Sequence, residues 1–157
     1  MILDVIFGAG VGSFLSNLLS QYAELPFRRA RRDEELRDTE CERCCEILKS
    51  IVNDSERYWA SSSFELGREE LVLSARINAS LFYLNKQINE FLRGHQKLLE
   101  LSSEEWGALF ELATGGDFKS SERSRNENVL QEIYLSAYSL ESGLRIRRKK
   151  LKRRWFW

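Results

Sequence analysis

The chain has 157 residues, of which 24 are basic, 24 are acidic and 43% are hydrophobic. A chain of this size buries one core, so we expect one globular domain beside any anchor, and a single proline favours long helices. The formal charge of zero conceals a separation of acidic and basic residues along the chain. Residues 33–144 contain 12 basic and 22 acidic residues, and the other 12 basic residues lie on either side of this region. So large an acidic surface repels phosphates, which argues against a general nucleic-acid binder.

The first 32 residues combine an apolar run with a basic end. Asp4 is the only charged residue up to about Leu19. A helix of about 20 residues spans the hydrocarbon core of a bilayer, so we predict a transmembrane anchor at residues 1–23. A basic juxtamembrane segment follows at residues 24–32. Because basic residues stay on the cytoplasmic side, we expect a single-pass inner (cell) membrane protein with its N-terminus outside and its body in the cytoplasm. The arginines of this segment are Arg28, Arg29, Arg31 and Arg32.

Small residues recur at every fourth position of the predicted anchor: Gly8, Gly12, Ser16 and Ser20. Such a ridge lets helices approach closely in lipid, so we predict a homo-oligomer that associates through it. Two alternatives are that glycine is simply common in membrane helices, or that this segment is a buried helix of a soluble protein.

The next predicted helix, from Asp33 to about Ala60, has one apolar face. Its apolar positions are spaced three and four residues apart, as an amphipathic helix requires. They are Cys41, Cys44, Leu48, Ile51, Ser55 and Tyr58, with Cys45, Val52 and Trp59 beside them. The segment from Ala60 to Ser63 (ASSS) breaks this helix, and its serines cap the next one.

A second long helix is predicted over about Phe64 to Leu99, and it carries the strongest amphipathic pattern. Its apolar positions are Leu73, Ile77, Leu81, Leu84, Ile88 and Phe91, with Leu92 adjoining. Ser102 and Glu105 have the spacing of a capping box that would open a short helix, which Gly115 and Gly116 would end.

The segment TGGDFKSS is predicted to be a mobile loop, after which Ser120 or Ser121 would cap the last long helix. Its apolar positions are Leu130, Ile133, Ala137, Leu140 and Leu144. The expected fold is therefore all-α: an N-terminal membrane helix, then an antiparallel bundle of three long helices and one short helix at residues 33–143.

A polybasic aromatic tail at residues 144–157 completes the prediction. Basic residues beside tryptophans favour the surface of an anionic bilayer. The residues assigned to this surface are Arg147, Arg148, Lys149, Lys150, Lys152, Arg153, Arg154, Trp155 and Trp157, together with the four juxtamembrane arginines. Nucleic acid and an acidic protein partner are alternative ligands for the tail, and nucleic acid is disfavoured by the acidic body.

Catalytic and metal-binding patterns are absent from the sequence. Three cysteines at residues 41, 44 and 45 and a single histidine, His95, make an incomplete zinc set, so packing on a helix face explains the cysteines better. We find no nucleophile elbow, zinc-protease motif, phosphate-binding loop or calcium loop. We therefore predict no catalytic residue, no metal and no cofactor.

These features lead to one hypothesis and two alternatives. The chain is expected to be a non-enzymatic membrane protein that self-assembles, either as a scaffold or as a membrane-perturbing effector of the kind used in bacterial defence, with a protein partner on its acidic body as an option. The first alternative is a soluble helical binding module with a nucleic-acid-binding tail. The second is an accessory subunit of a larger membrane complex.

Overall fold

The computed structural model describes the backbone of residues 2–153 and the side chains of Arg28 and residues 31–151. These residues form five helices and no strand. The helices are α1 (Ile2–Trp59), α2 (Ser63–Leu66), α3 (Arg68–Phe91), α4 (Gln96–Thr114) and α5 (Glu127–Arg153). The prediction of an all-α fold with a helical bundle is confirmed.

The chain divides into two compact units, residues 1–36 and residues 37–157. The first unit belongs to α1, which is helical through Pro26, so no new helix begins at that proline. Within this unit, Nε of Arg31 lies 3.4 Å from Oε1 of Glu35, one helical turn further on. The second unit contains the rest of α1 and the other four helices.

Polar contacts show that α1 and α5 run antiparallel in the second unit. Asp38 accepts a hydrogen bond of 2.6 Å from Arg148, near the end of α5. Glu56, five turns further along α1, accepts a hydrogen bond of 2.8 Å from Tyr134 near the start of α5. The prediction of an antiparallel arrangement is therefore confirmed for this pair.

Helices α3 and α4 complete the bundle. Helix α3 runs antiparallel to α1, and α4 runs antiparallel to α3. Asp54 of α1 lies 3.0 Å from Arg76 of α3, and Tyr58 donates to Glu70 one and a half turns earlier in α3. The indole Nε1–H of Trp106 on α4 donates to the carbonyl oxygen of Leu81 on α3 at 3.0 Å.

The bundle has two ends, which we name by the residues they contain. The first end contains the start of the second unit at Asp38, the end of α3 at Phe91, the start of α4 at Gln96, and Leu151 of α5. The second end contains the end of α1 at Trp59, helix α2 and residues 115–126.

The buried faces of the long helices match the predicted apolar positions. The predicted positions of α1, α3 and α5 are buried except Val52 and Leu130, which are half-buried. This agreement follows from the 3.6-residue period, which places such positions on one side of a helix. Helices α1, α3, α4 and α5 thus contribute to one core, which extends to Leu151 of α5.

The predicted second helix is wrong in its length, because two breaks divide residues 63–114 into α2, α3 and α4. The first break is at Gly67 and the second at residues 92–95, where Gly94 adopts φ +81°. Both glycines have the positive φ that side-chain-bearing residues rarely adopt. The apolar spacing continues across residues 92–95, so periodicity alone did not reveal that break.

The capping box assigned to Ser102 and Glu105 is also wrong. Ser102 is buried inside α4, and its hydroxyl donates to the carbonyl oxygen of Leu98 at 3.0 Å. The capping box of this chain is at Ser62, whose Oγ accepts from the amide of Glu65 at 3.3 Å while the Glu65 carboxylate accepts from the Ser62 amide at 2.7 Å. This position confirms the predicted capping by a serine of the segment from Ala60 to Ser63.

Helix α5 begins later than predicted, and neither Ser120 nor Ser121 caps it. Its first residue is Glu127, and the side-chain oxygen of Asn126 accepts a hydrogen bond from the amide of Val129 at 3.1 Å. The end of α4 was predicted correctly, since the helix stops at Thr114 before the glycine pair.

Candidate functional site

The predicted oligomerisation ridge and anchor fall where no side chain is described. Gly8, Gly12, Ser16 and Ser20 lie in the helical backbone of α1, but their side-chain surroundings are outside the described residues. In the part of the chain that the structure describes, no helix is long and apolar enough to cross a bilayer. The anchor and its ridge therefore stay predictions.

The juxtamembrane arginines are exposed wherever their side chains are described. Arg28, Arg31 and Arg32 are exposed, and Arg29 lies outside the described side chains. Arg31 keeps 83% of its side-chain surface exposed despite its pairing with Glu35. These cations are accessible to a charged surface.

Arg147, one of the predicted membrane-surface residues, is buried in the bundle. It is 6% exposed, and its two terminal nitrogens donate to the two carboxylate oxygens of Glu105 at 2.7 and 3.0 Å. Gly143, one turn earlier, provides the space, because a Cβ there would lie 2.2 Å from Nη1 of Arg147. The pair joins α5 to α4, and its buried Nε has no hydrogen-bond partner among the described residues.

Arg148 and Arg145 join α5 to α1 through acidic residues. Arg148 donates to Asp38 at 2.6 Å and to Glu42 at 3.3 Å, and the hydrogen bond to Asp38 raises the pKa of Arg148. Arg145 donates to Glu42 at 3.0 Å and to Glu141 at 2.9 Å. Three arginines at the C-terminal end of α5 therefore hold helices together.

Of the remaining tail residues, two lysines are exposed, and the side chains of the others are not described by the structure. Lys149 and Lys150 are exposed. The side chains of Lys152 and Arg153, and the residues Arg154, Trp155 and Trp157, are not described. Helix α5 continues to Arg153, so the lysines are presented from a helix rather than from an irregular tail.

The first end of the bundle contains a cavity of about 490 Å³. Lys97 and Lys150 supply its charged groups, Leu98 and Leu151 supply apolar surface, and the turn before α4 forms the rest of the wall. Cationic side chains of two helices, α4 and α5, line this cavity.

Sequence reasoning missed the polar cluster at the second end, which is centred on Arg123. Arg123 is 1% exposed although it belongs to the loop between α4 and α5. Its Nε donates to Glu70 at 3.2 Å, and its Nη1 donates to the carbonyl oxygen of Ser61 at 2.6 Å. Its guanidinium carbon also lies 5.5 Å from the ring centroid of Trp59.

The loop that was predicted to be mobile contacts the same cluster at two points. The amide of Lys119, which has φ +67°, donates to the hydroxyl of Tyr58 at 2.8 Å. Phe118 packs against Tyr58 with ring centroids 5.0 Å apart. Burial raises the pKa of Tyr58, so its hydroxyl is neutral and can donate to Glu70 while accepting from Lys119. The side chain of Phe118 and the amide of Lys119 thus attach the loop to the core of the second end.

The three cysteines are free and buried in the α1 face of the core. Burial raises the pKa of Cys44 to about 12. A hydrogen bond between Cys45 and Cys41 raises the pKa of Cys45 and lowers that of Cys41. Core packing of these residues, as the sequence indicated, agrees with their burial.

The described residues offer few groups for catalysis or metal binding. No group of three or more histidine, cysteine, aspartate or glutamate side chains could hold a metal ion among them. His95 is half-buried and occupies the N-cap position of α4, where its side chain makes no capping hydrogen bond. It lines the first-end cavity rather than an acid–base cluster.

The outer face of α3 is apolar over four turns. Between Arg68 and Lys86 it exposes large side chains that the described part of the chain does not cover. These are Leu71, Val72, Phe82 and Tyr83, with Ala75 and Ala79 between them. Contiguous exposed apolar surface of this kind is typical of protein contacts.

Comparison with known proteins identifies no relative. No protein-family model, no curated protein and no solved structure matches the chain.

Proposed function

We propose that this chain is a non-enzymatic protein anchored in the inner (cell) membrane by residues 1–23. Its N-terminus would lie outside and its helical bundle in the cytoplasm. The observation that carries the proposal is the apolar run with Asp4 as its only charge, followed directly by four arginines within residues 28–32. Insertion of the run removes its apolar surface from water, and the arginines hold the following residues on the cytoplasmic side.

Two structural facts support this arrangement. The backbone of residues 2–27 belongs to α1, as a membrane-spanning segment requires, because a helix satisfies its own backbone hydrogen bonds in lipid. The described arginines that follow are exposed, so they are available to anionic headgroups.

The membrane surface that we propose is smaller than the predicted set. Arg147 and Arg148 bind carboxylates within the bundle, so we leave them out of the surface. The proposed surface keeps Arg28, Arg29, Arg31, Arg32, Lys149, Lys150, Lys152, Arg153, Arg154, Trp155 and Trp157. A basic residue near an anionic leaflet contributes on the order of 1 kcal/mol, so these residues would add to the anchor rather than replace it.

Self-assembly is the second part of the proposal. The ridge of Gly8, Gly12, Ser16 and Ser20 would let anchors pack closely, and the apolar outer face of α3 offers a further contact to another protein. The assembled protein would act as a scaffold at the membrane or as an effector that perturbs it. Both roles need only association, not a catalytic centre.

Membrane fractionation tests the anchor. The full chain should sediment with membranes and resist extraction by alkaline carbonate. Leu15→Arg combined with Leu18→Arg should release it, because each central arginine raises the insertion free energy by about 2.5–3.5 kcal/mol. The matched control is Leu36→Arg, which adds the same charge at an exposed position outside the anchor. Recovery of the unchanged chain in the supernatant without detergent would reject the proposal and favour the soluble binding module.

Crosslinking in mild detergent tests the assembly. The full chain should give discrete oligomers, and Gly8→Leu with Gly12→Leu should reduce them because bulky side chains separate the helices. The control is Phe7→Leu with Phe14→Leu, which changes side chains on the opposite face of the helix. A strictly monomeric full chain would contradict self-assembly.

A further inference from the structure

Helix α3 is apolar on two opposite sides. The bundle covers one side, which contains Leu73, Ile77, Leu81, Leu84 and Ile88. The other side leaves between 45% and 73% of the surface exposed at four large side chains, those of Leu71, Val72, Phe82 and Tyr83. A helix that is apolar all round is normally covered all round. The outer face of α3 therefore indicates a partner.

The spacing of this outer face is that of a coiled coil. Steps of four and three residues alternate along it, so one seam runs on the side of α3 opposite to Ile77. All six positions of the seam are exposed, and they are Arg68, Val72, Ala75, Ala79, Phe82 and Lys86. A seam of this period packs against a second helix that has the same period.

The distribution of charge favours a second copy of the chain as the partner. Residues 33–144 contain 22 acidic and 12 basic residues, so two copies of the bundle repel each other in general. Residues 71–89 contain no aspartate or glutamate, although they include Arg76 and Lys86. The outer face of α3 is therefore a surface where two acidic bundles can approach without that repulsion.

A parallel alignment of two α3 helices suits the residues beside the seam. The flanking positions would then meet as Leu71 with Arg76, Asn78 with Tyr83 and Asn85 with Glu90, so no like charges face each other there. Arg68 and Lys86 lie near the two ends of the seam, where long cationic side chains can extend into solvent.

The size of the face is at the lower limit for a specific contact. Aromatic side chains bury about 150–250 Å² each, so the four large exposed residues and the two alanines offer roughly 500 Å² per copy. Two copies would bury on the order of 1,000 Å², which is the least that a specific interface requires. The contact is therefore expected to be weak unless another association brings the copies together.

We propose that the outer face of α3 binds the same face of a second copy in a parallel two-stranded contact. Ala75 and Ala79 form its centre, because their small side chains let the two helices approach closely. Val72 and Phe82 pack on either side of this centre. The identity of the partner rests on the proposed self-assembly, whereas the exposed seam does not.

Cysteine crosslinking of the purified full chain in mild detergent tests the contact. Ala79→Cys places a thiol at the centre of the seam, and the native cysteines are at most 1% exposed. Mild oxidation should link two copies, because a disulfide needs Cα atoms about 4.4–6.8 Å apart and only facing positions hold them there. The matched control is Ala108→Cys, at an exposed alanine of α4, which should give about tenfold less linked dimer.

Two results of this experiment would overturn the proposal. Equal yields of linked dimer from Ala79→Cys and Ala108→Cys would indicate random collision. Absence of a linked Ala79→Cys dimer would show that the face does not bind a second copy and would leave it to another protein or to a lipid surface.

Phe82→Glu, combined with Ala79→Cys, tests the chemistry of the seam. A carboxylate at the same seam position of both copies repels its counterpart, so the yield of linked dimer should fall about tenfold. Phe64→Glu combined with Ala79→Cys is the matched control, because Phe64 is 95% exposed and lies outside the seam. Circular dichroism should show equal helix content in both variants. An unchanged yield with Phe82→Glu would contradict the contact.

The direction of the contact is tested by mixing Ala75→Cys and Ala79→Cys chains that carry tags of different size. A parallel contact links each variant to itself. An antiparallel contact centred on residue 77 instead links one variant to the other, because it brings Ala75 next to Ala79 of the second copy. Preferential formation of the mixed dimer would overturn the parallel alignment.

These outcomes are separable from those of the proposed function. A chain that sediments with membranes and forms oligomers that depend on Gly8 and Gly12, but gives no Ala79→Cys dimer, loses only the α3 contact. A chain that stays in the supernatant without detergent and still links through Ala79→Cys loses only the membrane function.

Discussion

The guanidinium carbon of Arg123 lies 4.0 Å from the ring centroid of Tyr58. This contact joins the loop between α4 and α5 to the end of α1, and the hydrogen bond of Arg123 to Glu70 extends the connection to α3. A cation that is buried against an aromatic ring and a carboxylate loses its hydration, so its partners must remain in place. The second end of the bundle is therefore organised around a loop residue.

Replacement of Arg123 by alanine should lower the free energy of unfolding by about 3 kcal/mol, because it leaves the largely buried Glu70 carboxylate without its partner. Arg125→Ala is the matched control, since Arg125 belongs to the same loop and forms an exposed pair with Glu65. The control should change the free energy by less than about 1 kcal/mol. Urea unfolding of the full chain in mild detergent measures both. Equal effects of the two changes would contradict the role of the buried cluster.

The same cluster shows where sequence reasoning succeeds and where it stops. The faces of α1 and α3 were predictable because their pattern is local: positions three and four residues apart lie on one side of a helix. Arg123 contacts Glu70 across 53 residues of sequence, and a loop arginine is normally solvated. Nothing in its neighbourhood along the chain indicates that it is buried.

The predicted membrane surface illustrates a related limit. A run of basic residues reveals its charge but not whether acidic partners meet it in the folded chain. The side chain of Arg147 is buried in the bundle because Gly143 leaves space for it. There it pairs with Glu105, which is 42 residues away in sequence. Lys149 and Lys150 lie on other sides of the same helix and are exposed. The side of the helix on which each basic residue lies therefore decides whether it is buried or exposed, and the composition of the run does not show this.

Asn126→Ala should lower the free energy of unfolding by about 1 kcal/mol, because the amide of Val129 loses its N-cap acceptor. Asn128→Ala provides the control, since Asn128 is an exposed residue in the first turn of α5. Ser121→Ala tests the cap predicted from sequence and should also have little effect. Thermal unfolding followed by circular dichroism measures the three variants. A larger loss for Ser121→Ala than for Asn126→Ala would place the cap at the serine.

Stability should fall at alkaline pH because of Cys44. Its folded-state pKa is about 12, above the ordinary thiol value of 9.0, so the folded protein retains a proton that the unfolded chain releases. The contribution is fully present below pH 9 and is lost as the pH rises towards 12. Urea unfolding at increasing pH should show this loss, and Cys44→Ala should reduce its slope. Tyr58 remains in both proteins, so the difference isolates the cysteine. Identical slopes would contradict the assignment.

Gly143→Ala should destabilise the protein although it removes a glycine from the interior of a helix. The new Cβ would lie 2.2 Å from Nη1 of Arg147 and 2.9 Å from Oε2 of Glu105, so the buried ion pair must move. Overpacking of this kind costs about 1–3 kcal/mol, which exceeds the gain of up to about 1 kcal/mol in helix propensity. Gly107→Ala in α4 is the matched control, because a Cβ there meets nothing within 4 Å. It should stabilise the protein by about 0.5–1 kcal/mol. Urea unfolding of the two variants should therefore give shifts of opposite sign, and a gain in stability for Gly143→Ala would show that the Arg147 and Glu105 pair relaxes without cost.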